Sequence, residues 1–304
     1  MSQPAKDLAA SVLARLLNHS REKKEDYQSL LFRYVAERFL FRLGQSKYRD
    51  SFILKGAYLL SLTLEKQTYR TTKDIDFLKT GTAEKTELEK ALQTICVLPF
   101  PEDAVRFATD SINIQAIREQ TAYQGQRAKI AAYIGKARVI LQIDIGFGDP
   151  VYPSPVTCAV PSLLDLQGPV VYSYPIETVI AEKLEAIVAI SMLTSRMKDF
   201  YDLYVVISSK ELDYHHVKTA LTKTFSRRGT RLPEDLPLVF SDQVFEDATK
   251  KKQWNAFTSK LRNEHASLAF QRVISRLQEF SAPLWGKPDE SIARWIPGQG
   301  WILK

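Results

Sequence analysis

Cysteine is nearly absent from this chain. Its 304 residues carry only Cys96 and Cys158, far apart and with no CxxC pair or Cys/His cluster around them. That excludes both a zinc site of the finger type and a disulfide framework, and leaves the two thiols as small buried hydrophobes of a reducing compartment. No apolar run approaches the roughly 20 residues that a membrane-spanning helix requires. Nor does Met1 to Ala10, where Lys6 and Asp7 sit among small residues, build the apolar stretch of a secretory signal. The expected location is therefore cytoplasmic. Repeats and low-complexity tracts are missing too. What is present is a 45% hydrophobic content, enough to fill a real core, and an excess of base: 42 Lys and Arg against 35 Asp and Glu, a formal charge of +7. A positive balance favours a polyanionic partner without naming one.

Helical spacing of apolar residues predicts helices over Asp7–Asn18 and Tyr27–Leu43, the second with Gly44 placed as a C-cap. Phe52 to Leu54 reads as a short strand entering Lys55-Gly56, followed by a helix to about Glu65 and then an alternating strand over Asp74–Leu78. A helix over Glu84–Cys96 precedes four strand-like runs, Val105–Phe107, Ile112–Ile117, Ala128–Ile134 and Val139–Phe147. Tyr123-Gln124-Gly125-Gln126 and Gly135-Lys136 supply hairpin turns between them. Pro150, Pro153, Pro155 and Pro161 mark a candidate linker. Beyond it the pattern is helical: Pro175–Leu193, Met197–Ser208, Tyr214–Phe225, Glu246–Lys260 and His265–Phe280. The expected class is α+β, a mixed sheet flanked by helices. It divides into a helical N-terminal lead (1–48), a core (49–160) and a mainly helical C-terminal domain (161–304).

Side chains at i and i+2 of a strand share a face, about 7 Å apart at Cα. Asp74 and Asp76 thus present two carboxylates side by side while Ile75 and Phe77 turn to the core. Two such charges are unfavourable without a cation, and a divalent ion held by one or two carboxylates plus substrate phosphates is a common solution; a solvated edge strand is the plain alternative. In Val139-Ile140-Leu141-Gln142-Ile143-Asp144-Ile145 a single acid ends an apolar strand. Asp144 is either a third carboxylate at the metal or an acid bonded to loop amides. Lys183 projects from the apolar side of its predicted helix, to snorkel out or to reach into a cleft. Asp199 and Asp202 lie one helical turn apart, with Arg196 and Lys198 spaced to pair with them. Arg227-Arg228 and Lys250-Lys251-Lys252 read as phosphate contacts or as solvated faces.

Four motifs in this order, Lys55-Gly56, Arg70-x-Thr72-x-Asp74-Ile75-Asp76-Phe77, Ala181-Glu182-Lys183 and Arg196-x-Lys198-Asp199-Phe200-Tyr201-Asp202-Leu203-Tyr204, together resemble the AbiEii/AbiGii toxin family. The resemblance runs from about residue 30 to 210. It implies a polymerase-β-like nucleotidyltransferase core completed by the C-terminal domain, and a toxin of a toxin–antitoxin or abortive-infection system with a cognate antitoxin as partner. Asp74 and Asp76 would hold Mg²⁺ or Mn²⁺, with Asp144 beside them. Lys55, Gly56, Arg70, Thr72, Lys183 and Asp202 would bind a nucleoside triphosphate. Asp199 is preferred over Asp202 as the acid supporting Lys183. The chain departs from the family in having Gly56-Ala57 where a second small Gly or Ser is usual, so no hydroxyl at 57 is offered to the nucleotide; backbone amides at a helix start can still hold phosphate.

The reaction implied is attack by an acceptor hydroxyl on the α-phosphorus of the triphosphate with release of pyrophosphate, Lys183 and Arg70 stabilising the leaving group. Some family members add nucleotides to the 3′ end of tRNA, and the basic charge suits an RNA acceptor. Two alternatives stand beside it: a protein side chain as acceptor, and a non-catalytic nucleotide-binding protein, for which Ala57 is the one hint.

Overall fold

The computed structural model describes residues 4–64, 72–118, 124–261 and 264–304. Their contacts divide into two compact units. The first comprises Met1–Leu62, Thr71–Gly148 and Val156–Ser173, and the second Thr63–Arg70, Asp149–Pro155 and Tyr174–Lys304. The helical lead falls in the unit that holds the sheet, and so does the segment Val156–Ser173, while Asp149–Pro155 falls in the other.

In the first unit α1 (Pro4–Lys23) and α2 (Tyr27–Gln45) precede β1 (Phe52–Lys55), α3 (Gly56–Thr63), β2 (Ile75–Lys79), α4 (Lys85–Cys96), β3 (Val105–Arg118), β4 (Gln124–Ile134), β5 (Ala137–Phe147), β6 (Val156–Ala159) and β7 (Val170–Ser173). The strands form one seven-stranded sheet in the order β3-β4-β5-β2-β1-β7-β6. β2 runs parallel to β5 and β1 parallel to β7, while the other neighbours are antiparallel, so the sheet is mixed as expected. Burial alternates along β5: Val139, Leu141, Ile143 and Ile145 are covered, and Arg138 and Ile140 are exposed. One face of the sheet is therefore the core, packed against α2 and α4.

Helix α2 is the spine of that core. Asp26 caps its start by accepting from the Ser29 N–H at 2.8 Å. Thirteen of its residues are buried, three of them charged. Glu37 pairs with Arg38 and accepts from Ser162 Oγ and the Leu163 N–H, tying the β6–β7 connection to the helix. Arg42 donates to both Asp103 oxygens at 2.6 and 3.2 Å and to the Leu98 and Val105 carbonyls. Gly44 is not the C-cap, a place Ser46 takes. A Cβ on Gly44 would lie 2.6 Å from the Val170 carbonyl oxygen, so glycine there lets the helix pass close to β7.

Two further differences from the expected layout have local causes. The two runs within 105–117 form one strand, because a bulge absorbs the break between Ala108 and Asn113. There Ser111 Oγ donates to the Ala108 carbonyl and accepts from the Ala131 N–H. The proline-marked linker contains β6, an edge strand where flanking prolines forfeit no ladder bond. The turn expected at Tyr123–Gln126 falls partly outside the described residues.

The second unit contains α5 (Ile176–Ile190), α6 (Met197–Ser209), β8 (Leu212–Asp213), α7 (Tyr214–Arg228), α8 (Asp242–Glu246), α9 (Ala248–Thr258), α10 (Phe270–Ser281), β9 (Ile292–Ile296) and β10 (Gly300–Leu303). It is mainly helical, as expected, but closes with a three-stranded sheet in the order β10-β9-β8. Trp295 and Trp301 of that sheet pack on Phe280, and Trp295 donates its indole N–H to the Ile207 carbonyl at 2.7 Å. Among the described residues no helix is long and apolar enough to cross a membrane.

The Arg42–Asp103 pair gives a direct test of the first unit. Arg42→Met strands a fully buried carboxylate and is expected to cost about 3–5 kcal/mol in urea unfolding, while Arg42→Met with Asp103→Leu recovers most of that loss.

Candidate active site

Strand β1 passes straight into α3 at Gly56, whose φ of +70° belongs to the left-handed region that glycine enters most readily. Any Cβ there would fall 2.0 Å from Asp76 Oδ2. The Asp76 carboxylate thus lies against the first residue of α3, where the N-terminal end of a helix favours negative charge. Asp74 precedes β2 by one residue, and both acids are half-buried while Ile75 and Phe77 between and beyond them are fully covered. The expected alternation is present. Thr72 Oγ1 donates to Asp74 Oδ1 at 2.5 Å, so Thr72 orients the acid. Lys55 is the register partner of Asp76 across β1–β2. Arg70 lies outside the described residues. Ala57 is buried at 7% exposure.

Asp76 is opposite Asp144 in the parallel β2–β5 pair, and Asp144 is opposite Arg127 in the β4–β5 hairpin. Register partners share a face. Lys55, Asp76, Asp144 and Arg127 therefore form one row across four strands. Arg127 clasps Asp144 with Nε at 2.7 Å and Nη2 at 2.6 Å. That hydrogen bonding, with the charges of Asp144, Asp74 and Asp76, raises the Arg127 pKa despite partial burial. The structure sets Asp144 beside Asp76 and commits both its oxygens to Arg127. Among the described residues no three acids, histidines or cysteines converge to hold a metal by themselves. Two carboxylates with substrate phosphates completing the shell remain a fitting donor set for Mg²⁺ or Mn²⁺. Arg127 was missed in the sequence, although a two-residue turn at Gly135-Lys136 sets it opposite Asp144.

In the second unit Lys183 does not snorkel. Its Nζ donates to Asp199 Oδ1 at 2.8 Å and to Asp202 Oδ2 at 2.6 Å, with side-chain exposures of 11%, 10% and 0%. Arg196 Nε adds a 2.5 Å bond to Asp199 Oδ2. Both candidate acids thus hold the lysine, Asp202 from α6's buried side and Asp199 from the side Arg196 reaches.

Each of the two basic runs contains a residue committed to partners inside the second unit. Arg228 binds Asp149, Glu182 and Glu185, and Thr230 joins Glu185 at 2.5 Å. Lys250 is buried and donates to the Thr194 carbonyl. Neither of these two side chains is a surface contact for phosphate.

Burial alone would raise the Asp199 pKa, yet Lys183 and Arg196 overcome it and hold the carboxyl at about 2, against an ordinary 3.8. Its stabilising contribution is complete above about pH 4 and is lost as pH falls towards 2. Acid unfolding monitored by tryptophan fluorescence is expected to be steeper between those values in the native chain than in Asp199→Asn.

Comparison with known proteins adds the family. Two solved Helicobacter pylori structures resemble the chain: JHP933, at 14% identity and a TM-score of 0.45, covering 84% of this chain and 93% of that one, and a protein described as a candidate nucleotidyltransferase, at 15% identity and 0.45, covering 84% and 96%. No curated protein sequence is significantly similar. The family model described as nucleotidyl transferase AbiEii toxin of type IV toxin–antitoxin systems matches residues 38–276, a span that takes in the glycine turn, the aspartate pair and the lysine helix. With well over half its length so matched, the chain belongs to the AbiEii family of nucleotidyltransferase toxins.

Proposed function

We propose that the chain transfers a nucleoside monophosphate from a nucleoside triphosphate to the 3′ hydroxyl of an RNA, with tRNA as the preferred acceptor, and that it thereby blocks translation until its antitoxin restrains it. The observation that carries this reading is the seating of Asp76 against Gly56 at the start of α3, with Asp74 two residues away on the same face. Such a turn offers backbone amides to phosphate next to a carboxylate pair suited to a divalent cation. The formal charge of +7 supports a polyanionic acceptor.

In the reaction the acceptor oxygen bonds to the α-phosphorus as the bond to the β-phosphate bridge breaks. Pyrophosphate departs and the hydroxyl proton passes to the carboxylate pair. Mg²⁺ or Mn²⁺, bound by Asp74 and Asp76, would offset triphosphate charge and lower the pKa of the attacking hydroxyl. Thr72 holds Asp74 in place, and Arg127 neutralises Asp144, which is thereby left out of the metal set. Lys55 and the amides around Gly56 meet phosphate oxygens. By family resemblance Lys183 and Arg70 stabilise the leaving group, while Asp199 and Asp202 hold the ammonium charged and oriented.

Incubating the purified chain with tRNA and each labelled nucleoside triphosphate in Mg²⁺ or Mn²⁺ is the test. Labelled RNA is expected, and Asp74→Ala or Asp76→Ala should lower its rate by about a thousandfold. Label on protein instead, or label that survives those substitutions, overturns the reading. Gly56→Ala is expected to fold with a loss of roughly 1–3 kcal/mol. Because its Cβ displaces the Asp76 carboxylate, transfer should fall by about a hundredfold.

A further inference from the structure

The face of β3–β4–β5 that carries the Arg127–Asp144 clasp is the one turned away from α2 and α4, and it continues beyond the clasp. Successive rows run along it from the acids: Gln115, Arg127 and Asp144; then Asn113, Lys129 and Gln142; then Ala108, Ala131 and Ile140; then Arg106, Tyr133 and Arg138. Arg106, Lys129 and Arg138 are exposed, and Asn113 and Gln115 are exposed beside them. Rows two residues apart repeat every ~6.7 Å, so the track from Asp144 to Arg138 is about 20 Å long.

Its far end has a distinct character. The Arg106 guanidinium lies 4.6 Å from the Tyr133 ring centroid. The two side chains form part of the wall of a recess of about 250 Å³, together with Leu8, Ala9, Pro101 and Ala104. Apolar walls plus a stacked guanidinium and phenol suit a flat aromatic group with polar edges, which is what a nucleobase is.

We infer that this open sheet face is the track for the single-stranded 3′ end of the acceptor RNA, with Lys129 and Arg138 on its phosphates and the Arg106–Tyr133 recess stacking one base. The inference rests on the RNA-directed reading above and says where that RNA lies. Charge complementarity favours it: three exposed cations line the track, and the acids at its catalytic end are met by Arg127 or reserved for the metal. A protein partner would instead look for an aromatic or aliphatic centre, and the middle of this face offers only Ile140 and two alanines. A duplex would need a groove or a wide backbone clamp, whereas a flat sheet with a stacking group suits unpaired bases.

The test uses the full chain, a 5′-fluorescein single-stranded RNA of about 12 nucleotides with a free 3′ hydroxyl, and anisotropy titrations from roughly 50 to 200 mM KCl. Arg106→Gln, Lys129→Gln and Arg138→Gln together are expected to weaken binding at least about tenfold. They should also flatten the slope of log affinity against log salt by about 1.4, near 0.7 for each of the two phosphate contacts removed. Tyr133→Leu is expected to weaken binding about tenfold without changing that slope. In transfer assays the triple variant should raise KM for RNA and leave KM for the triphosphate unchanged, which separates a lost track from a damaged fold. Wild-type RNA affinity and slope in the triple variant overturn the track while leaving RNA transfer standing. If the native chain labels protein and no RNA, the functional reading fails, and the track falls with it.

Discussion

Two carboxylates on neighbouring parallel strands, Asp76 and Asp144, are the constraint around which the first unit is arranged. Adjacent strands lie about 4.8 Å apart, and like charges placed directly opposite destabilise a sheet. Arg127 answers from β4 with a bidentate bond, and Lys55 stands in register on the β1 side, giving a row with cations outside and acids within. The solution restricts everything nearby. A one-residue slip of the β4–β5 hairpin would turn Arg127 towards the helices and leave Asp144 with no guanidinium. A side chain at residue 56 would push Asp76 out of the row. Register, turn and helix start are therefore bound to one another through charge as well as through apolar packing.

The second unit meets the same problem with helices. α5 carries ionic groups on different sides: Lys183 bonds to Asp199 and Asp202 of α6, and Glu182 and Glu185 bond to Arg228 at the end of α7. Buried charges of this kind are costly to leave alone, so each pairing orients the helices it joins even where its net contribution to stability is small. Holding Asp199 at about 2 keeps it ionised throughout the physiological range, and with it the orientation of Lys183. The two bonds hold the ammonium in one place, and in the triphosphate role proposed for it that removes part of the ordering cost of binding.

Much of this was legible from residue order. The Asp74-Ile75-Asp76-Phe77 alternation, the glycine at the strand-to-helix turn and the helical spacing around Lys183 are local patterns, and local patterns survive folding when period and burial agree. Arg127 was equally accessible, since a two-residue turn at Gly135-Lys136 pairs 134 with 137 and hence 127 with 144; what it needed was register, not composition. β6 and β7 were hidden because strands of four residues in a proline-marked stretch are too short to show a period, and β7 owes its place to pairing with the distant β1. The β8–β9–β10 sheet escaped for the same reason: its core is two tryptophans reaching Phe280 and Ile207, contacts that no short window contains.

Charge is where sequence proximity misled most. Arg227-Arg228 and Lys250-Lys251-Lys252 look like phosphate-binding runs, yet Arg228 and Lys250 are committed to acids and a carbonyl inside the second unit. Arg106, Lys129 and Arg138, by contrast, are scattered through three strands and gather only because antiparallel register sets them on one face. A formal charge of +7 states how strongly a polyanion is attracted but not where it lands. The landing place is set by which cations the fold leaves without an internal acid, and on a sheet that is a matter of register: of the basic residues on β3, β4 and β5, those in the Arg127 row or in every second row from it face away from the core. A reader of sequence who first establishes register can sort structural from surface cations in β-rich segments, whereas in helical segments the sorting waits on tertiary partners such as Asp149 and Glu185.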